Sequence, residues 1–306
     1  MNTLPLVSDE QARSVVTVDD ALNVVEQTYA DLGAGRLALS DPEVTRLGDD
    51  TRGFALKAAI LDRYGVAGIR VLPTHTGGRN GWCLVLESAS GRPLVGVAEA
   101  WLHRLRTAAS AVVAARLLAR PDSRVLTLVG AGRIAELVPA AFAAAFPGME
   151  LRVVARRAES AAALATPFGG TFSTSLDEAA PGSDVIISIT SAIEPIVHAR
   201  HLALGGTVIG LGGGPEIAAE TLSSADQLFV DELAYAQEVG SVAGWLRTGL
   251  TRADLADRLT ADLPAVITGQ AKGRVSDDDR VLAVVQGVAA CDVALACLVA
   301  ERLGVT

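Results

Sequence analysis

The chain has 306 residues, half of them hydrophobic and 20% charged, which suits one or two well-cored domains and excludes a disordered tract. A net charge of −9 and a pI near 5.0 argue against nucleic acid or an anionic membrane as partner. Cys83, Cys291 and Cys297 are odd in number with no metal spacing, and MNTLPLVSDEQ is no signal peptide, so a reducing cytoplasm is expected.

In chain order, VDDALNVVEQTYADLGAG (18–35) reads as an amphipathic helix ending at glycines. GFALKAAIL, GVAGIRVLP, WCLVLES and PLVGVAEA follow as short strands separated by turns, with no long helix between them, which predicts an antiparallel or mixed sheet. HRLRTAASAVVAARLLAR (103–120) is the next helix, and Pro121-Asp122 marks a boundary. Residues 125–135, VLTLVGAGRIA, then run from an apolar strand into Gly130-x-Gly132-x-x-Ala135 and a helix. That order fits a dinucleotide: Gly130 for the tight turn, Gly132 for approach of the pyrophosphate, and small Ala135 for close helix packing. Ala131, Arg133 and Ile134 lie on the same turn. LRVVARR (151–157) is the next strand, ending in Arg156 and Arg157 where NAD sites usually carry an acidic residue for the ribose; guanidinium groups there suit a 2′-phosphate, so NADP(H) is preferred and NAD(H) possible. SDVIISITS (183–191) and GGTVIGLGGG (205–214) continue a parallel sheet and bring Thr190, Ser191 and Gly212 to strand C-ends, where ligands bind in such sheets.

VLAVVQGVAACDVALACLVAERLG (281–304) has apolar stretches too short to span a membrane, with Asp292 mid-way. It reads as a helix buried between domains or subunits, with Asp292 paired to a buried arginine or a helix end. The predicted fold is α/β: a Rossmann doubly wound parallel sheet over 119–279, and an α+β substrate and dimerisation domain over 1–118 with 280–306.

The run Leu105-Arg106-Thr107-Ala108-Ala109-Ser110, followed about twenty residues later by the glycine turn, resembles the ornithine cyclodeaminase/mu-crystallin family. Arg46 before Arg52-Gly53-Phe54, SGRPL (90–94), the S-D-V-I-I-S-x-T-S stretch and Phe229-Val230-Asp231 support the resemblance, which covers nearly the whole chain. It implies a homodimer that binds NAD(P) and handles small amino, imino or keto acids. By position it implies that Arg46 and Arg106 hold the substrate carboxylate, Arg106 alternatively touching cofactor phosphate beside Thr107.

Two departures separate the chain from the cyclodeaminases. Where the family carries a catalytic lysine in G-x-K-V, this sequence has Gly68-Ile69-Arg70-Val71, and arginine does not exchange protons near neutrality. Arg70 is instead expected to polarise a carbonyl or bind a carboxylate. Where the family carries a loop aspartate, this sequence has Gly213-Gly214. Candidates for the missing acid or base are His75, five residues after Arg70, and Lys57, one of two lysines. No metal or serine-nucleophile motif is present. The leading reading is an NAD(P)H-dependent imine reductase or amino-acid dehydrogenase acting on a small α-imino, α-keto or α-amino acid. The alternatives are an ornithine cyclodeaminase-type ammonia lyase and a non-catalytic NADPH-dependent binding protein like mu-crystallin.

Overall fold

The computed structural model describes residues 4–41, 43–46, 53–73 and 80–305. Two compact units emerge, Met1–Arg106 with Val288–Thr306, and Thr107–Gly287. The division falls inside the helix after the first sheet and after residue 287, instead of at the expected 118/119 and 279/280.

The first unit carries β1 (Leu6–Val7), α1 (Asp9–Val15), α2 (Val18–Gly33), β2 (Leu37–Leu39), β3 (Glu43–Arg46), β4 (Gly53–Leu61), β5 (Val66–Pro73), β6 (Trp82–Glu87), β7 (Pro93–Ala98) and the start of α3 (Ala100–Leu118). Its sheet runs β1-β7-β6-β5-β4-β2, with β3 also on β4. All pairs are antiparallel except β1 with β7, so the sheet is mixed. Ser8 with Gln11, and Thr17 with Asp20, form capping boxes that start α1 and α2. α2 buries Ala21, Leu22, Val25, Thr28 and Tyr29, one face of a 3.6-residue period.

The second unit continues with β8 (Val125–Val129), α4 (Val138–Ala145), β9 (Glu150–Val154), α5 (Ala158–Ala165), β10 (Thr171–Ser173), α6 (Leu176–Ala179), β11 (Val185–Ser188), β12 (Thr207–Gly210), α7 (Ala219–Ser224) and β13 (Gln227–Val230). α8 (Leu233–Ala236), α9 (Gly240–Arg247), α10 (Arg252–Arg258), β14 (Leu259–Asp262), α11 (Leu263–Ile267) and β15 (Val281–Val284) complete it. Its eight strands are all parallel in the order β10-β9-β8-β11-β12-β15-β13-β14, a doubly wound Rossmann sheet whose order reverses between β8 and β11. Val129, Ile186, Val208, Leu228, Leu282 and Val284 form part of its core.

The last helix, α12 (Ala289–Leu303), belongs to the first unit. This corrects the reading of 281–304 as one helix. Val281–Val284 is a central strand between β12 and β13, as its β-branched run favours, and the chain turns at Gln286-Gly287 before α12 begins. α12 lies against β4, β5, β6 and α2. Gly68 permits this: a Cβ there would collide with the Val293 side chain. The apolar surface of α12 is therefore consumed within its own unit. No described helix is long and apolar enough to cross a membrane.

Candidate active site

Strand register sets Lys57 opposite Arg70, Arg70 opposite Cys83, and Cys83 opposite Val97, one row across the inner face of β4–β7. Lys57 is buried with Ala59 and Leu61 on one face of β4. Burial pushes the Cys83 thiol well above its ordinary value.

Arg70 is fully buried. Its Nε donates to Glu99 Oε2 at 2.8 Å and its Nη2 to Glu99 Oε1 at 3.0 Å, a bidentate pair. Nη1 lies 2.9 Å from Asp292 Oδ2, within ion-pair range but without an aligned hydrogen bond. Arg106, 1% exposed, donates from Nε to both oxygens of Asp292 at 3.0 Å and from Nη2 to His103 Nδ1 at 2.8 Å. Burial pulls the Arg70 pKa down, but Asp292 and Glu99 outweigh it and hold the value above the ordinary one. Burial likewise opposes ionisation of Asp292, and the two guanidinium groups overcome it and lower its pKa. Burial and then the Arg106 charge lower His103 to about 4, so its imidazole is neutral near pH 7, accepting at Nδ1.

These contacts bear on two expectations from the sequence. Arg70 was expected to polarise substrate and Arg106 to bind substrate carboxylate or cofactor phosphate. Both guanidinium groups are bound to the carboxylates of Glu99 and Asp292, because an unpaired buried charge is far costlier than a paired one. Asp292 is paired with buried arginines, as anticipated. Arg46 ends β3 with its backbone paired to Gly53, and its side chain lies outside the described residues, as does His75.

In the second unit, Gly130 follows β8 with φ +121°, and a Cβ there would strike the Ile189 carbonyl oxygen. Gly132 has no heavy atom within 4 Å of its would-be Cβ, so its surroundings do not demand glycine and the backbone stands open to a ligand. Ala131, Arg133 and Ile134 complete the turn, and the Glu136 amide donates to the Gly132 carbonyl at 3.1 Å. The helix expected from Ala135 opens as a 3₁₀ turn over Ala135–Leu137 before α4, with Ala135 buried. Arg156 and Arg157 follow β9 as exposed side chains with no ion pair among the described residues. This arrangement fits a dinucleotide: an open glycine backbone at the β8 turn and free cations at the β9 end. Thr107 is buried on α3.

A cleft of about 580 Å³ opens at the ends of β11 and β12, lined by Thr190, Ser191, Ala192, Ile193, Gly213, Gly214, Pro215 and Arg247. Gly212, placed by the sequence at a ligand-facing strand end, is not among its lining residues. It is buried, and a Cβ there would overlap the Glu216 carboxylate. Fully buried Glu216 accepts from the Gly212 amide at 2.7 Å and from the Thr190 amide, tying the two strand-end loops together; burial raises its pKa. Glu99, His103, Glu216 and Arg247 were not singled out from the sequence as site residues. The spacing of Glu99, His103 and Arg106, four and then three residues, is a one-face helical signal that was available.

The chain is 30% identical over 219 residues to a Delta(1)-pyrroline-2-carboxylate reductase of Paracoccus denitrificans, covering 69% of this chain and 67% of that protein. The crystal structure of a probable ornithine cyclodeaminase from Bordetella pertussis superposes with a TM-score of 0.88 at 27% identity, covering 99% of this chain and 97% of that one. An archaeal alanine dehydrogenase dimer with bound NAD superposes with a TM-score of 0.88 at 24% identity, covering 98% and 95%. The sequence profile of the ornithine cyclodeaminase/mu-crystallin family matches residues 17–305, and the chain belongs to that family.

Proposed function

We propose that this protein is a nicotinamide-dependent oxidoreductase of the imine reductase or amino-acid dehydrogenase type, acting on a small α-imino, α-keto or α-amino acid. The observation that carries this reading is the Gly130–Ala135 turn, whose Gly132 backbone is open where nothing in the protein itself requires a glycine. The relative named as a pyrroline-2-carboxylate reductase and the NAD-bound alanine dehydrogenase point the same way. When bound, the cofactor supplies the hydride. Exposed Arg156 and Arg157, with no ion pair among the described residues, favour NADP(H) over NAD(H).

Proton exchange falls to Lys57. It lies beside Arg70 on the inner face and carries a group able to give up a proton, which the neighbouring guanidinium cannot do. Arg46 holds the α-carboxylate of the acid, and Arg70 and Arg106 act as buried scaffold. Cyclodeamination is disfavoured: position 70 is an arginine, Gly213 and Gly214 bring no carboxylate to the cleft, and Glu216 turns inward to backbone amides.

The outer face of the first sheet carries Leu6, Leu56, Ile60, Ile69 and Trp82, each at least 39% exposed. A second copy of the chain is its proposed occupant, in place of an interface built on buried α12. Three free cysteines match a cytoplasmic setting.

The test is NADPH and NADH oxidation with pyruvate plus ammonium and with Δ1-pyrroline-2-carboxylate, alongside ammonia release from ornithine. Reduction of either acid, falling at least about 100-fold in Lys57→Met, is expected. Cofactor binding without turnover of any acid favours the binding-protein reading, and proline formation from ornithine favours the lyase.

A further inference from the structure

Glu216 is a fully buried carboxylate that makes no ion pair among the described residues. Other buried carboxylates of the chain are matched by guanidinium groups: Glu99 and Asp292 by Arg70 and Arg106, Asp31 by Arg36 and Arg63. Glu216 is held by backbone amides instead. The Thr190 amide donates to Oε1, and the Gly212 amide donates to Oε2 at 2.7 Å. Acceptance at both oxygens is the pattern of an ionised carboxylate. Burial raises its pKa, and the hydrogen bonds from Thr190 and Gly212 oppose the rise.

The main chain on either side is fixed. The Glu216 carbonyl accepts from the amides of Ile196 and Val197 at 2.8 and 2.9 Å. The Ile217 amide donates to Ser241 Oγ at 3.2 Å, and buried Trp245 donates from its indole nitrogen to the Ile217 carbonyl at 2.7 Å. The carboxylate therefore stands between two loops of the second unit whose Thr190 and Gly213 line the cleft at the β11 and β12 ends.

A doubly wound sheet binds the two nucleotides of a dinucleotide on its two halves. The glycine turn after β8 and the arginines after β9 mark one half, which leaves the β11 and β12 ends to the nicotinamide. A reduced nicotinamide is neutral. When its hydride leaves with the electron pair for the sp² carbon of the acid, the ring keeps one positive charge, and a proton completes the reduced acid at nitrogen or oxygen. A buried negative charge nearby distinguishes the two ring states, since it acts through protein instead of water. Arg247 also lines the cleft, but it is exposed, so solvent and salt screen its charge.

We propose that the charge of Glu216 favours the oxidised, cationic nicotinamide over the reduced one, which makes the bound reduced cofactor a stronger hydride donor. This rests on the nicotinamide-dependent reading above. Glu216 acts here as a positioning residue, through its field and through the Thr190 amide.

Calorimetric titrations at about pH 8, well above the ordinary carboxylate range, compare native protein, Glu216→Gln and Glu216→Asp. The ligands are NADP+ and NADPH, NAD+ and NADH, and ADP-ribose with its 2′-phosphate, which lack the nicotinamide. In whichever pair binds, the native protein should hold the oxidised member more tightly. Glu216→Gln should shift the ratio of oxidised to reduced Kd about 10-fold toward the reduced member. Glu216→Asp should stay near the native ratio, and the ADP-ribose ligands should bind within about threefold in all three proteins, which also reports an intact fold.

A ratio unchanged in Glu216→Gln overturns the inference while leaving the nicotinamide reading in place. Parallel weakening of every ligand, ADP-ribose included, makes Glu216 a scaffold alone and likewise overturns it. Tighter native binding of the reduced member overturns it without any variant, which decides the matter should Glu216→Gln not fold. If no nicotinamide cofactor binds the native protein, the nicotinamide reading fails and the inference falls with it.

Discussion

Replacing Asp292 with asparagine tests whether the buried charges hold the first unit together. Asp292 takes Arg106 Nε on both oxygens at 3.0 Å and stands 2.9 Å from Arg70 Nη1, with all three side chains at most 2% exposed. Asparagine keeps the shape but removes the charge, leaving Glu99 as the remaining carboxylate of the network for two guanidinium groups. Removing one partner of a buried pair costs about 3–5 kcal/mol. The amide oxygen still accepts one hydrogen bond, which places Asp292→Asn at the lower end, about 3 kcal/mol. At about 2–4 °C per kcal/mol, the melting temperature should drop by roughly 6–12 °C, read by circular dichroism. The Asp292 pKa is lowered on folding, so its contribution is complete above the unfolded value of about 3.9 and is lost only in stronger acid. The deficit should therefore be the same at pH 6 and pH 8. The double variant Asp292→Leu/Arg106→Met should recover part of the loss, since the uncompensated charge is gone. A drop below about 1 kcal/mol in Asp292→Asn, or a double variant worse than the sum of its singles, would show that the network contributes little.

His103 has a folded pKa of about 4 against about 6.5 unfolded, so the unfolded chain binds the extra proton between those values. Stability should fall as pH drops from 6.5 to 4, by up to about 3 kcal/mol, and His103→Gln should flatten that part of a urea-midpoint series; identical slopes would contradict the assignment. Gly130→Ala should destabilise by about 1–3 kcal/mol through its positive φ and the Ile189 carbonyl. Gly132→Ala should leave the melting temperature nearly unchanged while weakening NADPH binding at least about tenfold, and unchanged affinity would remove Gly132 from the cofactor site. Replacing Arg156 and Arg157 together with alanine should weaken NADPH binding about 10- to 100-fold and NADH binding far less; equal affinities in the native protein would refute the NADP(H) preference.

The elements with a clear local period were legible: the alternating strands β4 to β7, the amphipathic α2, and the strand–glycine–helix unit at β8. The run from 281 is ambiguous in sequence because a short apolar stretch looks alike as a buried strand or a buried helix, and only the partners β12 and β13 decide. The charge network was illegible for a different reason. Glu99 stands 29 residues from Arg70, and Asp292 stands 186 from Arg106, so no local pattern announces either pairing. Without those partners, Arg70 looked free to meet substrate. At Gly212, a bare backbone that makes room for Glu216 looks the same in sequence as one that makes room for a ligand. Arg247 follows a tryptophan whose anchoring role depends on a carbonyl 28 residues earlier.

The two faces of β4 to β6 carry different tasks in alternate letters of the same text. Lys57, Arg70 and Cys83 point one way, while Leu56, Ile69 and Trp82 point the other. Point substitutions can therefore retune the chemistry of one face and leave the other untouched. A single-residue insertion or deletion within these strands has no such freedom, because it exchanges the faces and damages both tasks at once. Length variation in this sheet should accordingly be confined to its turns, and the strands themselves should diversify by replacement alone.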